Sequence, residues 1–336
     1  LKIMTLSTAP IIKYGIGHAM EKSSIEIIYT DFGKEISKGN YNSLVYAIKQ
    51  YKPNAFFYEH VAIFKNRDIF FKIAEKYNTP ILYWAIDDPI EMMSESIRHA
   101  QRSVLTFTPS IECIERYKRR GIDASLLMFG CNEDIQVAGT YNEKFNHDIV
   151  FIGNNYSRYP ARLEGYKSMI EPLIKRGYDL KIYGNSWWTD GSQTFTIDEK
   201  FYGGYCGYNE IKDACVSAKI IIGIHSVNNS STMMSMKSFE ILGCRGFYLT
   251  QYTPAIRNYF INKKHLVWSN SSLETLRYVD YYLLRDKERC SISLEGQREC
   301  YLKHNYRDKV NFFINELKRK GIWKDDNIYS NAYCSF

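Results

Sequence analysis

Lys237 and Glu240 stand three positions apart in the stretch 235–250 of this 336-residue chain. The spacing around them predicts a short helix that feeds directly into a strand. The polar run 228–232 offers N-cap candidates, Gly246 stands where a left-handed C-terminal cap would fall, and 247–250 is β-prone. On a helix the two charged side chains share one face. A cation and a carboxylate near a helix N-terminus, where free N–H groups attract anions, suit a phosphorylated nucleoside. The lysine and the amides would meet a diphosphate, and the carboxylate would accept from both ribose hydroxyls. The same spacing also describes an exposed helical ion pair, worth roughly a few tenths of a kcal/mol.

Two further groups have chemical potential. Gly15, Gly17 and His18 lie in a predicted loop after the first strand, a common ligand-facing place in α/β folds, although the glycines do not spell GxGxxG. Asp87 and Asp88 close an apolar strand just before Pro89. A carboxylate there could take a proton from an acceptor hydroxyl or bind sugar hydroxyls, or could simply form an Asx turn.

These residues need a scaffold, and the pattern supplies one. Strand-like runs at 2–7, 25–29, 54–58, 80–86, 103–108 and 124–129 alternate with helical spacing at 41–51, 68–77, 94–101 and 110–120. A polar, aperiodic stretch at 132–147 reads as a linker. The alternation then restarts, with strands at 148–153, 180–184 and 219–224 and the helix–strand unit of 235–250. Helices are predicted at 158–176, 208–217, 273–284, 286–301 and 308–320, the first kinked or ended by Pro172. Buried apolar strands alternating with amphipathic helices argue for parallel sheets covered on both faces. The expected division is 1–135, 148–318 and a tail at 319–336.

Composition narrows the class. Hydrophobic residues make up 45% and charged residues 24%, as in a soluble globular protein. No apolar run approaches the roughly 20 residues of a membrane span, and the first residues enter a strand pattern without signal-peptide features. The eight cysteines form no CxxC pair, which speaks for reduced thiols in a cytoplasm and against a zinc site. A net charge of +7 suits an anionic ligand, but the basic residues are dispersed and no nucleic-acid motif is present. Some of the 28 tyrosines could stack on sugar faces.

Several segments together resemble the CgeB-like spore-maturation glycosyltransferases. They are the strand end at 151–158, with Gly153, Asn154, Tyr156 and Arg158; 182–187, with Tyr183, Gly184 and Trp187; and the 237–244 helix. The tyrosine-rich segment 281–289 and 303–306, with His304 and Tyr306, belong to the same set. The resemblance covers most of 148–318 in order, and in the first half the Trp84 to Pro89 segment. It implies an α/β, GT-B fold: two Rossmann-like domains facing across a cleft, with the C-terminal helices crossing back to the N-terminal domain. It implies a nucleotide-sugar donor, expected to be a UDP-sugar, on the second domain and a protein or glycan acceptor on the first. The family's name suggests spore-surface or cell-surface glycosylation; the cysteine pattern and the absent nucleic-acid motif add the expectation of a cytoplasmic enzyme with no nucleic-acid partner. Glu240 takes the place of the ribose-binding carboxylate. Lys237 replaces the usual Arg and lacks its bidentate fork. Thr232 stands where related group-one enzymes often have a second glutamate, eight positions before Glu240.

Under this resemblance the donor-binding candidates are Asn154, Arg158, Arg162, Tyr183, Gly184, Trp187, Tyr208, His225, Lys237 and Glu240. The catalytic candidates are Asp87, Asp88 and His18. Each has a plainer alternative: helix-surface charge for the arginines, core packing for Tyr183, a helix start for Tyr208, a satisfied loop histidine for His225. No DxD-like spacing is present, so metal-independent transfer without a cofactor is expected, with charge at the leaving diphosphate met by cations and a helix N-terminus. A non-catalytic coat or scaffold protein of the same fold is the alternative class.

Overall fold

The computed structural model describes residues 1–323 apart from 60, 61 and 64. Six strands form the first sheet: Lys2–Thr5 (β1), Glu26–Ile28 (β2), Ala55–Tyr58 (β3), Ile81–Trp84 (β4), Leu105–Thr108 (β5) and Ala124–Leu126 (β6). Five form the second: Ile149–Ile152 (β7), Leu180–Tyr183 (β8), Ile220–Gly223 (β9), Tyr248–Gln251 (β10) and Val267–Ser269 (β11). The strand orders are β2-β1-β3-β4-β5-β6 and β11-β10-β9-β7-β8. Every pairing between these strands is parallel. Central strands such as β3, β4 and β9 are buried along their whole length, as apolar runs covered by helices on both faces must be. In each sheet the first strand sits between its two sequence successors, β1 between β2 and β3, β7 between β8 and β9. At such a reversal the flanking connections diverge and leave a crevice at the carboxyl ends of the strands.

The glycine-bearing segment after β1 is not a loop. Ile11–Ile16 is a π-helical turn that runs into the helix Gly17–Glu21, with a break at Gly15 (φ −93°, ψ −113°). Packing accounts for the glycines. A Cβ on Gly17 would fall 2.5 Å from the Ile12 carbonyl oxygen and 2.7 Å from the Tyr29 hydroxyl, and one on Gly15 would press on the Tyr306 ring. The predicted helix 158–176 is also subdivided, into Pro160–Gly165, a π-helical stretch Tyr166–Ile170, and Glu171–Arg176. Pro172 lacks the N–H that would continue the regular ladder, and the preceding turn widens.

The C-terminal helix Tyr306–Arg319 returns to the first sheet, so the crossing begins before the expected 319 boundary. Phe313 is fully buried there, edge-on to Phe57 at 5.2 Å and tilted against Phe107 at 5.0 Å. Arg319 and Lys320 pair with Asp123 of the first half. Of the expected tail 319–336, residues 324–336 lie outside the described residues. The chain therefore crosses between the halves twice, and the two crossings lie side by side. The Cys131 amide donates to the His304 carbonyl at 2.7 Å, and the Tyr306 amide to the Cys131 carbonyl at 2.9 Å.

Phe313→Ala should remove a ring from the core of the first half, although Phe313 sits at the far end of the sequence. A loss of about 3–5 kcal/mol is expected for such a deletion, read by urea unfolding. A loss below about 1 kcal/mol would mean the final helix is not part of that core.

Candidate active site

The helix carrying the charged pair is Lys237–Gly243, seven residues long. Its C-terminus is a Schellman arrangement: the Gly246 amide bonds the Ile241 carbonyl and the Arg245 amide the Leu242 carbonyl, each at 2.9 Å. The left-handed residue is Arg245 (φ 63°), one position before the expected Gly246. Gly246 instead abuts Ile241 and Cys215, where a Cβ would crowd both side chains. At the other end the polar run 228–232 does not cap this helix; the N-cap position is Met236.

Lys237 Nζ lies 2.6 Å from Glu240 Oε2. The lysine side chain is 28% exposed and the glutamate side chain 3%. Glu240 Oε1 is buried and has no hydrogen-bond partner among the described residues. This is not the exposed ion pair of the plainer alternative. A cavity of about 240 Å³ opens onto Glu240, lined also by Cys244, Tyr208, Asn209, Asp134 and Gln136, among others. Tyr208 begins a one-turn helix leading into Ile211–Ser217. Its ring stacks on Tyr14 of the first half at 4.9 Å, and Lys237 Nζ lies 5.9 Å from its centre. Burial raises the Tyr208 phenol well above its ordinary range, with the Glu240 charge acting the same way. Gln136, nearly buried, donates to the Tyr208 hydroxyl.

A larger cavity of about 520 Å³ lies between the halves. Asp87, Glu91, Ser94 and Glu95 line it from the first half; Tyr156, Arg158, Tyr159 and Arg162 line it from the second. Ser235 and Met236 also line it, so the start of the Lys237 helix borders this cleft while Glu240 borders the smaller cavity. Arg158 rests against the Tyr159 ring at 5.0 Å, and Arg162 donates to the Ser226 hydroxyl at 2.8 Å. The Tyr159 hydroxyl donates across the cleft to Glu91 at 3.3 Å.

The other expected residues divide by burial. Asp88 is fully buried and accepts from the Thr108 and Tyr117 hydroxyls at 2.8 Å, so it braces the first half and does not meet an acceptor. Of the two adjacent carboxylates, Asp87 is the one at the cleft. His225 is also fully buried. Its Nδ1 accepts the Ser235 amide at 3.1 Å, which leaves Nε2–H to donate to Thr250 Oγ1 at 2.9 Å. It holds the approach to the Lys237 helix and does not touch the cleft. Tyr183 is core: its ring packs edge-on against Phe145 at 4.9 Å and its hydroxyl donates to the Lys144 carbonyl. Gly184 is required by close approach, since a Cβ would lie 2.2 Å from the Gly153 carbonyl oxygen. Asn154 accepts the Asn185 amide at 3.1 Å and thereby ties the β7 and β8 loops together. Trp187 stands edge-on to Tyr156 at 5.8 Å, behind the cleft wall. His18 is set between Glu21 at 3.4 Å and Asp134 at 3.5 Å.

Sequence reasoning missed Gln136, Asp134, Glu91 and Tyr159. The first two lie in the polar stretch assigned to a linker, which carries no periodic signal. Glu91 and Tyr159 flank recognised positions, and their convergence is visible only once the halves are paired. His304 and Tyr306 sit at the second crossing, His304 among the rings of Phe239, Tyr259 and Phe260. Among the described residues no group of three or more His, Cys, Asp or Glu is arranged to hold a metal ion, and no helix is long and apolar enough to cross a membrane.

Residues 162–315 match the model of a family described as glycosyl transferase-like. No curated protein matches the chain by sequence. Solved structures match over nearly its whole length. A structure of Anabaena Alr3699/HepE in complex with UDP-glucose superposes with a TM-score of 0.61 at 9% identity, covering 95% of this chain and 99% of that one. A glycosyltransferase from Rickettsia africae gives 0.59 at 12%, covering 95% and 98%. The DNA-modifying enzyme β-glucosyltransferase gives 0.62 at 12%, covering 96% and 100%. At these identities the likeness shows the fold, and the fold is GT-B.

The His225 environment sets a pH dependence. Burial, assisted by the Arg162 charge, lowers its pKa to about 3, against an ordinary value of 6.5. The unfolded chain then binds a proton that the folded chain refuses, so stability is full above about pH 6.5 and falls as pH drops toward 3. Burial lowers His304 to about 4, with the same sign. In urea unfolding at pH 7.5 and 5.0, His225→Gln should show a smaller loss between the two than the unsubstituted chain. An equal loss would show that His225 is not held neutral.

Proposed function

We propose that this chain is a glycosyltransferase that moves a sugar from a nucleoside diphosphate, taken to be UDP, to a hydroxyl of a glycan or protein. The observation that carries this reading is Glu240: a carboxylate at the wall of a cavity, with one oxygen on Lys237 and the other, buried, with no partner among the described residues. A buried acceptor left unmatched costs on the order of 1–3 kcal/mol, and ribose hydroxyls are donors of the right kind to offset it. The match to a glycosyl transferase-like family over 162–315, and the UDP-glucose held by a neighbour of the same fold, support the assignment.

In this reading the nucleoside occupies the 240 Å³ cavity, with Tyr208 beside the base and Glu240 on the ribose. The sugar enters the 520 Å³ cleft, between Arg158 and Arg162 on the donor side and Asp87 on the acceptor side. Transfer breaks the bond from the anomeric carbon to the diphosphate oxygen and forms one to the acceptor oxygen. The electron pair of the broken bond stays on the diphosphate. Lys237, Arg158 and Arg162 are read as the cations that stabilise that charge. The acceptor proton passes to Asp87 or to the departing diphosphate. No step is assigned to His18. Because side-chain cations supply the stabilisation, the reaction is read as metal-independent.

Glu240→Gln keeps the shape and removes the charge. Loss of charge-assisted bonds to two hydroxyls should weaken UDP binding about 10- to 100-fold, measured by calorimetry. An affinity within twofold of the unsubstituted chain would remove the ribose assignment. EDTA should leave the transfer rate within about twofold, and loss of transfer restored by added divalent cation would overturn the metal-independent reading.

A further inference from the structure

The loop between β9 and the Lys237 helix is fastened to the opposite half of the molecule. The helix Ile111–Lys118 of the first half begins with no side-chain cap of its own. Its first amide, Ile111 N–H, is instead accepted by Thr232 Oγ1 of the second half at 2.9 Å, and the same hydroxyl donates to the Pro109 carbonyl at 2.7 Å. An N-terminal amide with no acceptor in its own helix is thus capped from the other half. One position on, Glu112 accepts the Ser230 hydroxyl at 2.7 Å and the Ser231 amide at 2.6 Å, with the Ser110 hydroxyl at 2.8 Å holding it from its own side. Asn258 of the second half donates to the Ser231 carbonyl at 2.9 Å.

This fastening lies five residues before Lys237. Between the two, Met233, Ser235 and Met236 line the cleft, and the Ser235 amide is held by His225. Ser235 Oγ in turn accepts the Lys237 amide at 3.3 Å. The path is continuous: first-half helix, Glu112 and Thr232, loop, Ser235, Lys237. Separation of the halves would break these bonds, and the loop leading to Lys237 would lose its outer anchor.

From this path we infer that Glu112 and Thr232 are positioning residues: they couple approach of the two halves to the placement of Lys237 for transfer. The inference rests on the glycosyltransferase reading for its catalytic readout but not for its structural one. The Thr232 hydroxyl serves the contact between the halves on both its donor and its acceptor side.

Glu112→Ala and Thr232→Val test the coupling, with urea unfolding confirming that each variant folds. Hydrogen exchange followed by mass spectrometry should show the amides of 229–237 exchanging at least tenfold faster in both variants, while the β7 to β9 strands are unchanged. With UDP-glucose as the donor, kcat should fall about tenfold with KM for the donor changed less than threefold, because the ribose contact through Glu240 is untouched. Unchanged exchange at 229–237 in both variants would overturn the inference. So would faster exchange with an unchanged kcat. A chain that binds no UDP-sugar at all would sink the proposed function alone, and exchange would still decide whether the clamp orders the loop.

Discussion

The site is built around a carboxylate kept where water scarcely reaches it. Removing a charge from water costs several kcal/mol unless the protein supplies partners. For Glu240 it supplies one, the Lys237 ammonium, and leaves the second oxygen unmatched among the described residues. A helix of seven residues is too short to fix such a pair by its own hydrogen bonds. Its position comes from what surrounds it: the Schellman end at Arg245 and Gly246, His225 gripping Ser235, and the long helix Asp286–Lys303 behind. From that helix Gln297 donates to the Gly243 carbonyl at 2.8 Å. The buried side chains that touch no ligand in this reading are therefore what keep the reactive pair in place.

Charge is unevenly divided across the cleft. Carboxylates at 87, 91 and 95 lie on one side and the guanidinium groups of Arg158 and Arg162 on the other. In the proposed reading this division suits transfer, with the anionic leaving group beside the cations and the acceptor hydroxyl facing the carboxylates. Arg67 pairs with Glu95, which reduces the net negative charge on the first-half side of the cleft. Glu112 belongs to a different part of the interface. Burial acts to raise its pKa, but the Ser231 amide and the Ser230 and Ser110 hydroxyls outweigh it and hold the group at about 2. The carboxylate form that these donors require is thus present across the neutral range.

The strands were legible because a parallel strand covered on both faces has to be a short continuous apolar run, as at 81–84 and 220–223. The pairing of Lys237 with Glu240 was legible because helical spacing leaves little choice for residues three apart. Other features depended on contacts far away in sequence. Nothing local distinguishes a polar run that caps its own helix from one that caps a helix some 120 residues earlier, as Thr232 does. The glycines at 15 and 17 suggested a free backbone, whereas Tyr29 and Tyr306 are the reason they are small. Asp88 and His225 end or follow strands that reach the cleft, yet both side chains turn into the interior. Position along the chain therefore predicted proximity to the site but not access to it.

The twin crossings at Cys131 and at 304–306 carry a mechanical consequence. Because the two chain segments are bonded to one another, both covalent links between the halves leave from a single seam, like the two leaves of one hinge. The 132–147 connection is consequently not what holds the molecule together: a chain nicked there would keep the Tyr306–Arg319 helix buried in the first half, and the two fragments would remain one particle.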